Sequence, residues 1–260
     1  LMRYQEFGGS MEDREAAVAW LERRPLTVSE DRVLVCPGVQ SALLAVLGNL
    51  ARPGDVVLCE ALTYPGLRAI AGQLGLRLVG VPLDDDGIDP DALAKLCAEH
   101  HPKALYCNPV LLNPAAVTLS DERRHRVVQI ARRHNLPIIE DDAYGLLPTH
   151  RPPALAALAP ELTYYLCGFS KSLGAGLRIA YLALPSARLR ARLAVTLRAT
   201  TVMASPITAA LASCWVQDGT ADLALTLTRR ESQARQELVA DILAGADYRS
   251  HPEAFHVWLR

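Results

Sequence analysis

The chain has 260 residues, half of them apolar and 21% charged, and its formal net charge is −1. This balance is typical of a globular protein with a large core, and it excludes a strongly basic nucleic-acid surface within this segment. The six cysteines show no paired spacing and the seven histidines no metal-ligand spacing, so neither a disulfide framework nor a metal site is predicted. Without a signal peptide or a membrane-length apolar run, the sequence favours a cytoplasmic protein with no membrane partner.

Short apolar strands alternate with helices through the first half of the chain. Strands are predicted at 32–36, 55–59, 76–81, 103–107 and 136–140, and helices at 40–50, 64–74, 89–100 and 120–134. Asp89, followed by Pro90, and Ser120 are the expected capping residues of the last two helices. The alternation predicts an α/β fold of three layers, in which helices cover both faces of a mostly parallel sheet.

The helix at 120–134 carries two basic clusters, 123–126 and 132–134. Its apolar residues are expected to face inward, and these are Val127, Val128, Ile130 and Ala131. The basic clusters are therefore interpreted as the solvated face of an amphipathic helix.

The second half of the chain turns from strands to helices. Strands are predicted at 162–167 and 178–184 after a short helix near 153–160, and helices at 186–203 and 206–215. A long helix capped by Asp218 or Thr220 is expected to run to about residue 243, and residues 255–260 alternate like a strand.

The loop between the strands at 162–167 and 178–184 holds the most informative segment, Ser-Lys-Ser-Leu-Gly-Ala-Gly-Leu-Arg at 170–178. Lys171 is expected on a loop between two strands of one sheet, beside the hydroxyl of Ser170 and with Arg178 seven residues later. A fixed amine next to phosphate-binding groups suits Schiff-base chemistry with an aldehyde cofactor. Taken alone, the segment fits a surface lysine and arginine on a glycine-rich turn equally well.

Other polar motifs follow the predicted strands. Gly38, Val39 and Gln40 form a glycine turn at a helix start, where backbone N–H groups can bind an anion. Asp141 and Asp142 end a buried strand shortly before Tyr144, a pattern that also fits a solvated acidic turn. Carboxyl ends of parallel strands are where such sheets bind ligands.

Read in order, these motifs resemble the pyridoxal 5'-phosphate (PLP)-dependent aminotransferases of fold type I, class I and II. The resemblance covers nearly the whole chain and is strongest to the group fused to GntR-type DNA-binding domains, the MocR-like regulators. It implies a Schiff base between PLP and Lys171, a pyridine nitrogen kept protonated by Asp141, and a phenolic oxygen bound by Tyr144. The phosphate is implied to lie against Gly38, Val39, Gln40, Ser170 and Arg178.

The same resemblance assigns three further residues. Tyr64 is implied to stack on the pyridine ring, and an asparagine of the segment 106–116 to bind its phenolic oxygen. Asn108 and Asn113 compete for that role, and the pattern of a proline, three residues and Asn-Pro favours Asn113. The family often has Asn-Pro-Thr-Gly, whereas two alanines follow Asn113-Pro114 here. Tyr4 is implied to reach the phosphate of a neighbouring subunit, which makes the active site part of a homodimer interface.

The resemblance also divides the chain into a PLP-binding large domain with an N-terminal arm, residues 1–215, and the connecting helix and start of a smaller domain, residues 216–260. The arginine that holds the substrate carboxylate and any DNA-binding domain are expected outside this segment, which we interpret as part of a longer protein.

Two functions fit these features. One is an aminotransferase acting on an amino acid and a 2-oxo acid, and the other is a PLP- or amino-acid-sensing effector domain of a transcriptional regulator. A racemase, lyase or decarboxylase on the same scaffold is a weaker alternative, because fold alone does not fix reaction type.

Overall fold

The computed structural model describes residues 4–260. Its helices are α1 (Met11–Leu21), α2 (Val39–Leu50), α3 (Pro65–Gln73), α4 (Pro90–His100), α5 (Asp121–His134), α6 (Leu155–Leu158), α7 (Ala187–Thr201), α8 (Pro206–Gln217) and α9 (Thr220–Ile242). Its strands are β1 (Val33–Cys36), β2 (Val56–Glu60), β3 (Arg77–Val81), β4 (Leu83–Asp84), β5 (Gly87–Ile88), β6 (Ala104–Cys107), β7 (Ile138–Asp141), β8 (Thr163–Gly168), β9 (Ala180–Ala183), β10 (Tyr248–Arg249) and β11 (Trp258–Leu259).

Seven strands form one sheet in the order β1-β9-β8-β7-β6-β2-β3. Five neighbouring strands run parallel to one another, namely β3, β2, β6, β7 and β8. Strand β9 is antiparallel to both of its neighbours, β8 and β1. The register places Asp141 of β7 opposite Leu166 of β8. The predicted α/β fold with a mostly parallel sheet is confirmed.

Alternation along the strands divides the core between the two faces of the sheet. On β6, Ala104 and Tyr106 pack with apolar residues of α2, α3 and α7, whereas Leu105 and Cys107 pack with those of α4, α5 and α6. A third cluster joins α1 and α8 to strands β1, β8 and β9 around the fully buried Trp20. Both faces are therefore covered, as the apolar strands predict.

Helix α1 was not among the predicted elements. Ser10 caps it in a reciprocal arrangement: the Asp13 N–H donates to Ser10 Oγ at 3.2 Å, and the Ser10 N–H donates to Asp13 Oδ2 at 3.1 Å. The sequence Ser-Met-Glu-Asp contains this capping signal. The helix buries Trp20 and Leu21, which fixes the N-terminal segment against the sheet.

The interpretation of the basic clusters on α5 was wrong for one residue. Arg124 is fully buried, although the four apolar residues expected to face inward do so. Its guanidinium donates to the carbonyl oxygens of Leu119 and Pro109 at 2.9 and 2.7 Å and lies 3.7 Å from Glu140. A buried arginine is stabilised when such acceptors replace its lost hydration.

The C-terminal region keeps a separate small sheet, in which β10 and β11 pair antiparallel. The strand expected at 255–260 is thus shortened to Trp258–Leu259. The N-cap of α9 is Gly219 rather than Asp218 or Thr220, and Asp218 Oδ1 instead accepts from the Thr220 N–H at 2.9 Å. No helix within residues 4–260 combines the length and apolar character needed to cross a membrane.

Candidate functional site

A cavity of about 250 Å³ opens at the carboxyl ends of β6 and β7, between the N-terminus of α2 and the β8–β9 loop. Parallel sheets of this kind commonly place ligands at such ends. Nine of the predicted site residues line this cavity, namely Val39, Gln40, Tyr64, Asn113, Asp141, Tyr144, Ser170, Lys171 and Arg178. Residues far apart in the sequence therefore meet in one place.

Lys171 lies on the loop between the antiparallel strands β8 and β9, as predicted from the sequence. Its side chain is partly buried, and Nζ lies 5.8 Å from the centroid of the Tyr144 ring. The strands hold the loop from both ends, so the backbone of Lys171 is fixed at the cavity wall. A primary amine in this position can act as a nucleophile or as a base.

Arg178 and Gly38 meet at the N-terminus of α2. Arg178 has a left-handed backbone with φ of 50°, and Gly38 has φ of 89°. A Cβ on Gly38 would lie only 2.7 Å from Arg178 Nη2 and would displace the guanidinium, and the positive φ itself favours glycine. The guanidinium thus lies at the positive end of the α2 dipole, an arrangement that can bind an anion.

Asp141 is buried at the end of β7 and has one engaged and one unengaged oxygen. Its Oδ2 accepts from the Tyr106 hydroxyl at 2.8 Å, whereas Oδ1 is buried and has no hydrogen-bond partner among residues 4–260. Burial raises the pKa of Asp141 to about 6, against the opposing effect of the Tyr106 hydrogen bond. At neutral pH this carboxylate is an acceptor suited to a cationic donor in the cavity.

Asp142 does not line the cavity, and it forms an ion pair with Arg24 instead. Its Oδ2 accepts from Arg24 Nε and from the Tyr165 hydroxyl, both at 2.6 Å. Asp141 and Asp142 are both nearly inaccessible to solvent, so the alternative of a solvated acidic turn is wrong.

Tyr144 and the two competing asparagines share one side of the cavity. Tyr144 is buried, and Asn113 Nδ2 lies 3.5 Å from its hydroxyl. Burial, reinforced by the charge of Asp141, raises the pKa of Tyr144 to about 12, so it remains a hydroxyl donor at neutral pH. Asn108 also lines the cavity, but its amide donates to the Asp141 carbonyl and its Oδ1 accepts from the Asn113 N–H at 3.1 Å. Asn108 therefore holds Asn113 and the end of β7 in place.

The remaining predicted residues occupy different positions. Gln40 Nε2 donates to the Tyr64 hydroxyl at 3.0 Å, which ties the aromatic ring to the start of α2. Tyr4 is 78% exposed and does not line the cavity of its own chain, so its role in a neighbouring subunit stays a prediction. Residues 1–3 of the N-terminal arm lie outside the described residues.

Three site residues were missed by the sequence analysis. Tyr106 precedes the last residue of β6, and its strand position was the available signal. Glu60 ends β2, where its buried carboxylate accepts from the Asn108 N–H, and burial raises its pKa to about 8. His256 packs against Tyr144 with ring centroids 5.2 Å apart, a contact between distant parts of the chain that no local pattern indicates.

The comparisons with known proteins agree with this geometry. The family model "Aminotransferase class I and II" matches residues 1–260. The uncharacterized HTH-type transcriptional regulator YdeF of Bacillus subtilis is 32% identical over 93% of this chain and 52% of its own length. The 2-aminoadipate transaminase of Thermus thermophilus is 34% identical over 69% of this chain and 46% of its own length.

A solved structure shares the whole fold. The α-aminoadipate aminotransferase LysN of Thermus thermophilus, complexed with N-(5'-phosphopyridoxyl)-L-leucine, superposes with a TM-score of 0.89 at 26% identity. The match covers 99% of this chain and 67% of LysN. The chain spans about half the length of the regulators it matches, of which YdeF is one. This chain belongs to the aminotransferase class I and II family, as its sequence motifs predicted.

Proposed function

We propose that this chain is a PLP-binding domain that transfers an amino group between an amino acid and a 2-oxo acid. The observation that carries the proposal is the meeting of Lys171, Asp141 and Arg178 at one cavity of about 250 Å³. These side chains supply an amine, a buried carboxylate and an anion-binding guanidinium, which match the aldehyde, ring nitrogen and phosphate of PLP. When bound, PLP supplies an aldehyde that bonds to amines and a ring that stabilises negative charge at the substrate Cα.

The residues present fit the cofactor on three counts. The unengaged Oδ1 of Asp141 is a buried acceptor that needs a donor, and a protonated ring nitrogen is one. The close approach of Gly38 and Arg178 at the start of α2 gives a phosphate both backbone N–H groups and a guanidinium. The adjacent Asn113 and Tyr144 offer two donors for the phenolic oxygen.

Each residue then has a defined task. Asp141 keeps a proton on the ring nitrogen, because separating that ion pair inside the protein is unfavourable. Tyr144 and Asn113 would bind the phenolic oxygen of the ring, and Tyr64 would offer it an aromatic surface. Lys171 would hold the cofactor through its Nζ and, as a free amine, would be the base for the proton on the substrate Cα. Ser170 assists Arg178 at the phosphate.

We also propose the domain division at residue 215 and a homodimer. The small sheet of β10 and β11, separate from the seven-stranded sheet, supports a second unit in the region 216–260. Exposed apolar side chains near the N-terminal arm support a partner subunit there, with Met11 at 49% and Ile207 at 57% exposure. Tyr4 would then reach the partner's cofactor. The free cysteines of the described chain are consistent with a cytoplasmic location.

A second function is favoured by the relatives rather than by the cavity. The HTH-type regulators YdeF, YisV and YdfD match 93 to 99% of this chain. In such a protein the same site would sense PLP or an amino acid, and binding would bias the conformation of an attached DNA-binding domain. The amino acid, the 2-oxo acid and any DNA contact are parts of this proposal.

One experiment separates the two functions. The protein is titrated with PLP while its visible absorbance is followed, then treated with a panel of amino acids, and finally with a 2-oxo acid. Loss of the visible band with one amino acid and its return with the oxo acid identify an aminotransferase and its substrate class. A band that shifts with an amino acid but never completes the cycle supports the sensor. Absence of any visible band contradicts both functions.

A further inference from the structure

Glu60 is buried beside the candidate site and has no role in the proposed function so far. It ends β2, is only 2% exposed, and does not line the cavity of the site. Its Oε1 accepts from the Asn108 N–H at 2.5 Å. Its Oε2 accepts from the hydroxyl of Thr63, the residue before Tyr64, at 3.4 Å. The carboxyl group is therefore held at both oxygens, between two segments that carry site residues.

The Asn108 N–H needs a side-chain acceptor because it lies beyond the end of its strand. The pairing of β6 with β2 extends to Leu105, and β6 ends at Cys107. A buried N–H without an acceptor is unfavourable. Glu60 supplies the acceptor from the end of the neighbouring strand. It thereby holds the backbone at the point where the chain leaves the sheet for the loop that carries Asn113.

Asn108 connects this backbone position to the cavity. Its Oδ1 accepts from the Asn113 N–H at 3.1 Å, and its Nδ2 donates to the Asp141 carbonyl, so the side-chain amide is held at both ends. Asn113 Nδ2 in turn lies 3.5 Å from the Tyr144 hydroxyl. Consecutive contacts therefore run from the carboxyl group of Glu60 to the two donors proposed for the phenolic oxygen.

We propose that Glu60 is a positioning residue for the cofactor: through Asn108 it sets where the Asn113 amide meets the phenolic oxygen of the ring. The inference rests on the proposed function, in which Asn113 would bind that oxygen. Glu60 lies behind the cavity wall and acts only through the two asparagines. It adds the end of β2 to a site whose other carboxylate, Asp141, ends β7.

This role requires an acceptor and not a charge. Burial raises the pKa of Glu60 to about 8, an effect that the Asn108 N–H opposes and the charge of Asp141 reinforces. At neutral pH the group is therefore mainly protonated, and its carbonyl oxygen still accepts. The pKa of Asp141 is about 6. Burial raises the pKa well above the ordinary value in the other titratable neighbours, which are Cys59, Tyr106 and Cys107.

The first test compares the dissociation constants of PLP and of 3-deoxypyridoxal 5'-phosphate, which lacks the phenolic oxygen. Glu60→Met removes the acceptor and should weaken PLP binding about tenfold relative to the analogue, the effect of losing one hydrogen bond to a charged group. Glu60→Gln keeps a carbonyl oxygen for the Asn108 N–H, and the ratio of the two constants should stay within about twofold of wild type. A merely structural role would weaken both ligands equally.

Asn108→Ala tests the connection without altering Glu60. The backbone N–H of residue 108 still donates to Glu60, but the acceptor of the Asn113 N–H is lost. The variant should therefore show the same relative loss of PLP binding as Glu60→Met. The double variant should lose no more than either single variant, because both changes act on one chain of contacts. Fully additive losses would contradict the inference.

A measurement on the cofactor-free protein needs no destabilising substitution. Raising the pH through about 8 should shift the amide proton resonances of Asn108 and Asn113 with a common midpoint, and Glu60→Gln should lack this step. An Asn113 resonance that does not follow that of Asn108 overturns the inference, as does an unchanged ratio of dissociation constants in Glu60→Met. The visible band of the wild-type protein with PLP tests the proposed function separately, so the two can fail independently.

Discussion

Two adjacent carboxylates at the end of β7 face regions of opposite character. On one side, Asp142 accepts a hydrogen bond from the Arg24 guanidinium and another from the Tyr165 hydroxyl, and all three side chains are buried. On the other side, Asp141 has a hydroxyl partner, Tyr106, but no ion pair within residues 4–260, and its Oδ1, like that of Asp142, has no hydrogen-bond partner there. The comparison teaches that a buried carboxylate paired with a cation inside the fold serves stability, whereas one that lines a cavity without a cation marks the place of a ligand.

The largest expected effect is on the cavity side. Lys171→Ala should abolish the visible band formed with PLP, because no other lysine lines the cavity of the described chain. The unfolding free energy should change by no more than about 0.5 kcal/mol, since Lys171 is only partly buried. Absorbance and urea unfolding measure the two effects on the same sample. Lys95→Ala and Lys103→Ala are the matched controls and should keep the band. A band retained by Lys171→Ala would mean that another amine binds the cofactor.

Substitution of Asp142, the carboxylate that does not line the cavity, should lower the stability of the protein. Asp142→Asn leaves the Arg24 guanidinium buried without its counter-charge, so the unfolding free energy should fall by about 3–5 kcal/mol. Urea unfolding followed by circular dichroism measures this loss. The control is Glu161→Gln, which removes a half-exposed ion pair with Arg132 at 2.8 Å and should lower stability by at most about 1 kcal/mol. Equal effects of the two substitutions would contradict the contrast between the two regions.

The fold and most of the site could be predicted from the sequence because their signals are local. Apolar runs alternating with helices predicted the sheet, and motifs at the ends of strands predicted the positions of Asp141 and Lys171. Contacts between residues that are distant in the sequence leave no local pattern. Arg24, for example, lies 118 residues before its partner Asp142. Arg124 was assigned to the surface because a helical pattern cannot show that carbonyl oxygens from other segments surround one position.

Asp141→Asn sharpens the comparison, because it removes a carboxylate that lacks a cation. The folded-state pKa of about 6 is above the ordinary value near 3.9, so the ionised group destabilises the cofactor-free protein at neutral pH. The variant should be more stable than wild type at pH 7, by at most about 3 kcal/mol, with the difference vanishing as the pH falls towards 4.

The difference between wild type and Asp141→Asn must be measured, since Glu60 and Glu140 also have raised pKa values, of about 8 and about 7. Burial is the main cause in each. The contribution of Glu140 cancels in the difference, whereas the charge of Asp141 also raises the pKa of Glu60, so that pKa should fall in the variant. Transamination should fall far more than PLP binding, because a neutral amide no longer favours a protonated ring. A loss of stability as large as that of Asp142→Asn would show that Asp141 is a structural group.

The smallest effect is expected for Gly38→Ala, which alters the backbone of the proposed anion site. Gly38→Ala places a methyl group against Arg178 Nη2 and forces alanine into a backbone region with φ of 89°, at a cost of about 1–3 kcal/mol. The displaced guanidinium should weaken PLP binding while binding of phosphate-free pyridoxal falls less, so the ratio of the two dissociation constants is the measurement. Gly48→Ala, in the same helix with open space around its Cβ, should instead stabilise by about 0.5–1 kcal/mol. Equal weakening of both ligands by Gly38→Ala would mean that Arg178 and the start of α2 shape the cavity without selecting the phosphate.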